Sequence, residues 1–359
     1  MKKLWMMLIA LVLLTATLPV FATDLSFGGR MIWAGNLDAD GVANGFMVRF
    51  RPNFTAKVDD FNTLFVELRT NDGLAFDTAS DFWLHDVKLT TDLTGALGLK
   101  LPFTLKTTLG LFEPGFTDWN YVSESGWESY YDWPNKIADW GPFHAGGVQL
   151  DLAISQLPVA LHYFSNFPGD LMMLGLSGGF GPVVGWLTFQ MGSAVPGDGI
   201  LGVEAKYTGE IAGFKLGVPV FFRYGLNAPV GVQDYTFGAG VSVDYSMFHV
   251  AFGYEGDSDN AADNMVVDLA VKPLDPLKVY GHMYLDMGKD YYYEIGGVQA
   301  STNPTNALTG IDIGVSYKFG APTFMVGYVI PGEDKNRIPI NGDTFAVTSG
   351  IYFAVDVSY

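Results

Sequence analysis

From Phe345 the chain reads FAVTSGIYFAVDVSY, a stretch in which apolar residues recur at every second position. Ile351, Phe353, Val355, Val357 and Tyr359 fall on one face, and Gly350, Tyr352, Ala354, Asp356 and Ser358 on the other. Successive side chains of a strand point to opposite sides, so this spacing specifies a strand with one unbroken apolar face. The same period runs back through the chain. Asp312, Ser316 and Lys318 oppose Ile311, Ile313, Val315 and Tyr317, and Asp268 and Lys272 oppose Met265, Val267, Leu269 and Val271. Ser242 and Asp244 oppose Phe237, Val241, Val243 and Tyr245, Glu204 and Lys206 oppose Val203 and Tyr207, and Arg49 and Arg51 oppose Phe46, Val48 and Phe50. Charges on one side and hydrocarbon on the other suit a sheet wrapped around water and surrounded by lipid.

Composition narrows the choice. The chain is 49% hydrophobic and only 16% charged, with 44 glycines, yet beyond its first residues it holds no run of about 18 apolar residues long enough for a spanning helix. Those first residues, MKKLWMMLIALVLLTATLPVFA, place Lys2 and Lys3 before an apolar run and end on Val20-Phe21-Ala22. This is the layout of a cleaved secretory leader over residues 1–22, which leaves 23–359 as a single barrel domain. A formal net charge of −18 excludes a phosphate-binding basic face, and hence nucleic acid as partner. Zero cysteines exclude disulfides and thiolate chemistry.

Short and long connections take turns. Tight ones are expected near Val58 to Phe61, Gly98 to Pro102, Gln156 to Pro158, Phe180 to Pro182, Gly209 to Phe214, Ser246 to Met247, Leu274 to Leu277 and Phe319 to Pro322. Longer polar ones lie near Gly35 to Ala43, Asp72 to Ser80, Glu113 to Phe143, Phe167 to Asp170, Ser193 to Ile200, Asn227 to Tyr235, Gly256 to Asn264, Gly288 to Leu308 and Pro331 to Thr344. Eight turns and nine loops give an antiparallel up-and-down transmembrane β-barrel of 18 strands, with 16 as the alternative if one hairpin is lost. Aromatics at Trp33, Trp83, Tyr163, Trp186, Tyr224, Tyr254, Tyr284 and Tyr328 fall near strand ends, where a membrane interface favours them.

The C-terminal pattern resembles the closing strand of bacterial outer-membrane barrel proteins, with Tyr359 where phenylalanine is more usual. The resemblance implies recognition by the outer-membrane barrel assembly machinery through that strand. The whole layout resembles the general porins, in which a long third outer loop folds into the lumen and sets its acids against a basic wall. Here Glu113 to Phe143 is the third outer loop, rich in acid and tryptophan, and is the candidate constriction. The inward set on the first five strands is cationic: Arg30, Arg49, Arg51, Arg69, Lys88 and Lys106. Asp118, Glu124 and Glu128 are the loop acids expected to face them across the pore. The resemblance also implies a homotrimer embedded in outer-membrane lipid.

The function expected is passive diffusion of small hydrophilic solutes and ions. Aromatics in that third loop, Trp119, Tyr121, Trp127, Tyr130 and Trp133, also resemble the sugar-stacking residues of the maltoporin group. A sugar-selective channel is therefore one alternative, and a structural or adhesive coat protein is another. No enzyme is expected. His85, His144, His162, His249 and His282 are scattered along the chain, and neither G-x-S-x-G nor HExxH occurs. Asp257, Asp259 and Asp263 lack the spacing of a calcium loop and read as a solvated outer loop, so no metal and no cofactor are expected.

Overall fold

The structure is a computed structural model describing residues 24–38, 40–41, 43–70, 82–112, 114, 145–193, 197–228, 234–258, 264–286, 289–294, 297–304, 307–331, 337–340, 343–346 and 350–359. The first strands are β1 (Asp24–Asp38), β2 (Ala43–Lys57), β3 (Asn62–Thr70), β4 (Phe82–Asp92), β5 (Phe103–Phe112), β6 (Ala145–Ile154), β7 (Val159–Asn166), β8 (Met172–Phe180) and β9 (Val183–Met191). They are followed by β10 (Gly199–Ile211), β11 (Phe214–Leu226), β12 (Tyr235–Tyr245), β13 (Phe248–Asp257), β14 (Asn264–Leu274) and β15 (Leu277–Asp286). Then come β16 (Lys289–Glu294), β17 (Gly297–Pro304), β18 (Ala307–Lys318), β19 (Pro322–Pro331), β20 (Arg337–Ile340), β21 (Asp343–Ala346) and β22 (Gly350–Ser358).

Eighteen of these strands form one antiparallel sheet in which each pairs with its chain neighbours. The ring closes because β22 pairs with β1 on one side and β19 on the other. Closure is the solution that leaves no backbone amide facing hydrocarbon. The four remaining strands form two small hairpins, β16–β17 and β20–β21, inside long connections. The expected count of 18 is therefore observed, and each of the eight expected tight connections joins two barrel strands. The turn after β10 shows the local reason. Ala212 and Gly213 have φ of 53° and 84°, the doubly left-handed geometry that matches the twist of a two-residue hairpin. One connection carries more than expected. The chain leaves β4 through a helical turn, α1 (Leu93–Ala96), whose start Asp92 caps by accepting from the Gly95 amide at 3.0 Å.

Burial in this barrel is inverted relative to a water-soluble protein. On β19 Val326 is 56% exposed and its neighbour Met325 only 6%. On β22 Ile351 and Phe353 are exposed, while Tyr352, Ala354 and Asp356 are buried. On β11 Val218, Val220, Phe222 and Tyr224 point out, and Phe221 and Arg223 point in. Exposed apolar side chains on this scale mark a surface made for lipid. Trp33, Tyr224 and Tyr328 lie on that outer surface, as expected of interfacial rings. Trp186 does not. It is the register partner of Ser177 and of the buried Glu204, which puts it on the inner face.

Candidate functional site

The inner face of β1, β2 and β3 gathers four arginines. Arg30 and Arg51 are direct register partners, Ile32 faces Arg49 two pairs further on, and Arg69 lies at the loop end of β3. Arg51 sits in the combined field of Arg69, Arg49 and Arg30, with Glu67 as the compensating acid. Two acids anchor the group at its edges. Asp356 on β22 takes a two-pronged contact from Arg30, Nε to Oδ1 at 2.9 Å and Nη2 to Oδ2 at 3.1 Å. Glu67 accepts from Arg69 Nε at 2.6 Å. Like charges facing each other across a ladder repel, so a wall of this kind requires water, acids or solute anions to offset it.

The next strand adds a bulge. Glu67 faces Asp86 and Leu68 faces Leu84, so His85 is the extra residue on β4. The bulge aims His85 into the wall, with Nδ1 3.0 Å from Asp86 Oδ1 and 3.6 Å from Glu67 Oε1. Lys88 donates to Asp86 Oδ2 at 3.1 Å and stands 5.0 Å from the centre of the Phe65 ring. Lys106 belongs elsewhere. It lies near the turn end of β5, where its register partners are Asp92 and Asp151. The six expected cations thus divide into a compact arginine group, an attached Lys88 and a separate Lys106 between two acids.

A second inner surface spans β12 through β22, and sequence reading missed it. Asp244 Oδ1 lies 2.8 Å from His249 Nδ1, and His249 Nε2 lies 4.0 Å from Asp268. Asp268 in turn lies 3.4 Å from His282 Nε2, and His282 Nδ1 is 3.0 Å from Asp312 Oδ2. Tyr352 donates to Asp312 Oδ1 at 2.6 Å, which leaves Tyr280 to donate across the 2.7 Å contact between the two hydroxyls. Two glycines make this possible. Tyr280, Gly314, Gly327 and Tyr352 are consecutive register partners, so the two rings lean toward each other over a floor without side chains. A Cβ on Gly314 would fall 2.6 Å from the Tyr280 ring, and one on Gly327 would strike the ring of Tyr352. Nearby, Arg223 and Glu204 form a buried pair at 3.0 Å.

Among the described histidines two come together and the others stay apart. His249 and His282 share Asp268, and His162 on β7 joins Asp151 and Ser177. The sequence signal for these groupings is a carboxylate at the same pleat height on a neighbouring strand, and it becomes visible only once register is known. The candidate constriction loop 113–143 lies outside the described residues apart from Pro114, and with it Asp118, Glu124 and Glu128. Trp119, Tyr121, Trp127, Tyr130 and Trp133, as well as His144, Asp259 and Asp263, lie outside them too. Among the described residues no cluster of His, Asp and Glu has metal-ligand geometry.

No protein-family model matches the chain, and no curated protein sequence matches it. Solved structures do. A form of the Rhodopseudomonas blastica porin with an aspartate and a glutamate replaced by alanine is 11% identical with a TM-score of 0.53. A form with an alanine replaced by lysine, and one with a lysine, an arginine and two acids replaced by alanine, are each 12% identical with a TM-score of 0.53. Each alignment covers 94% of this chain and 100% of the porin. The architecture is porin-like. The porin-like wall of this chain combines an arginine side on β1 to β3 with an aspartate–histidine–tyrosine side on β12 to β22.

Proposed function

We propose that this chain is an outer-membrane porin, a passive channel through which small hydrophilic solutes and ions diffuse down their gradients. The observation that carries the reading is the inverted wall: a closed ring of 18 strands, apolar and exposed outside, lined inside by paired arginines, aspartates and histidines. Ionised groups facing inward hold water in the lumen, and their arrangement fixes which ions that water accommodates. The arginine group on β1 to β3 is the selectivity element, and Asp118, Glu124 and Glu128 of the third outer loop are its opposing acids across the narrowest section. Residues 1–22 serve as the export leader, and β22 presents the assembly machinery with its outward row ending at Tyr359. Three such barrels associate in the lipid, by analogy with porins.

Reconstitution of the purified protein in a planar bilayer tests the reading. Stepwise ion conductance is expected. A barrel that inserts without conducting would overturn the channel and favour a coat protein, and block of the current by a low concentration of an oligosaccharide would favour the sugar-selective alternative.

A further inference from the structure

Around the inner face from β6 to β8, three side chains form a line that the channel reading does not use. Asp151 and His162 are direct register partners on β6 and β7, and Asp151 Oδ1 lies 2.7 Å from His162 Nδ1. The partner of His162 on β8 is Gly175, which presents no side chain, so the imidazole reaches two residues along that strand. There Nε2 lies 2.8 Å from Ser177 Oγ. Asp151 is itself held, because Gln149 Nε2 donates to its two oxygens at 2.9 and 3.1 Å. With Asp151 accepting from Nδ1–H, the Nε2 lone pair faces the serine and accepts its hydroxyl proton. A nucleophile bonded to a base, and that base oriented by a carboxylate, is the arrangement that activates serine in acyl transfer.

Beside the serine lies an open recess of about 380 Å³ near the turn end of the barrel. Ser177, Ala153, Ala160, Val184 and Trp186 line it. Its lining is mostly apolar, and Ser177 and Trp186 are the lining residues that carry a polar side-chain atom. Such a space fits a short hydrocarbon chain or a ring and leaves the polar end of a solute in the lumen.

We infer that Ser177, His162 and Asp151 form an ester-hydrolysing site on the lumen wall, taking esters of short apolar acids whose acyl group enters the Trp186 recess. Ser177 Oγ attacks the carbonyl carbon while its proton passes to His162 Nε2. Collapse of the adduct breaks the bond to the alcohol oxygen, which leaves with that proton. Water then attacks the acyl-serine, gives its proton to Nε2, and Ser177 departs from the carbonyl and recovers it, so that ester and water become acid and alcohol. Ser177 and His162 are the catalytic residues, and Asp151 is a positioning residue. The strand ladder limits the rate: the Gly179 amide is already bonded to Pro158 O at 2.9 Å and does not face the oxyanion. Each missing oxyanion donor lowers turnover by roughly 10² to 10³, so acylation by a reactive probe is the sensitive readout.

The full-length protein in detergent is treated with an alkyl fluorophosphonate and mapped by peptide mass, in parallel with hydrolysis of p-nitrophenyl butyrate. The expected result is an adduct on Ser177, with labelling reduced by about 10² or more in His162→Gln. Ser177→Ala abolishes ester turnover, and Asp151→Asn lowers kcat while leaving KM in place. Heat-modifiable mobility on SDS gels verifies that each variant keeps its barrel, and the adduct map of the parent protein depends on no variant. Absence of an adduct at Ser177, or labelling that is equally fast in His162→Gln, would overturn the inference. Because conductance is measured separately, failure here is distinguishable from failure of the channel reading.

Discussion

The arginine side of the wall, on β1 to β3, and the aspartate–histidine–tyrosine side, on β12 to β22, both carry ionised groups and handle them in opposite ways. On the first, like charges face each other, with Arg30 opposite Arg51 and Arg49 and Arg69 nearby. Such a group is stable where acids, here Glu67 and Asp356 at its edges, and water offset the repulsion. On the second, acids alternate with imidazoles and the series ends on two tyrosine hydroxyls, with Asp268 and Asp312 exposed by only 0% and 1%. Asp312 is bonded to both His282 and Tyr352, Asp268 lies between two imidazoles at 3.4 and 4.0 Å, and the Gly314–Gly327 floor lets the tyrosine rings close over the series. Charge in this lumen is thus arranged in two ways. Gathered with like sign on β1 to β3, it concentrates positive field on one side of the wall; alternated and buried on β12 to β22, it ties strands together.

That contrast can be broken by moving stability and selectivity independently. Asp312→Ala removes the acid shared by His282 and Tyr352 and is expected to cost about 3 kcal/mol, the scale for breaking a buried pair. A lower temperature for loss of the compact heat-modifiable form should result, with the salt-gradient potential unchanged. Gly327→Ala follows, because the new methyl displaces the Tyr352 ring from its place over the floor, at about 1 to 3 kcal/mol. A double-mutant cycle with Asp312→Ala should show non-additivity, since both changes act through one hydroxyl. Arg51→Ala is the converse case. It relieves repulsion, so stability should shift by less than about 1 kcal/mol, while ion preference moves toward cations. A loss of stability as large as that of Asp312→Ala would erase the distinction.

The smallest effect belongs to the turn beneath the arginine side. Asp59 accepts from the Asn62 side chain and from the Phe61 and Asn62 amides, and these bonds, the Asn62 side chain first, hold its carboxyl below the ordinary value of 3.8. A depressed folded value means that its contribution is present above 3.8 and is lost as pH falls through the lower folded value. Asp59→Ala should therefore flatten the acid limb of thermal stability slightly, which a melting series at falling pH would show.

Much of this fold is readable from periodicity. The alternation in Ile351 to Tyr359 assigns the outer and inner faces of β22 correctly, and turn residues such as Pro158, Gly213 and Pro322 mark the short connections. A period of two states which face a residue takes, but not which residue stands opposite it. Asp312 and His282 are separated by 30 residues, and only the register of β15 on β18 brings them to 3.0 Å. His85 turns inward through a bulge that one extra residue creates, and a uniform alternation does not contain it. Trp186 was expected at the membrane interface, yet strand pairing sets it on the inner face beside Ser177. The arginine group was visible because its members lie on sequential strands, where neighbours in the chain are also neighbours in space.

The central claim is that the arginines on β1 to β3 set the ion preference of an open channel. The most direct measurement is the zero-current potential across a bilayer under a salt gradient, for the parent protein and for Arg49→Ala, Arg51→Ala and Arg69→Ala combined. The account predicts that both conduct and that the combined variant shifts clearly toward cations. An identical potential in the two proteins, or a parent barrel that inserts and passes no current, would contradict it.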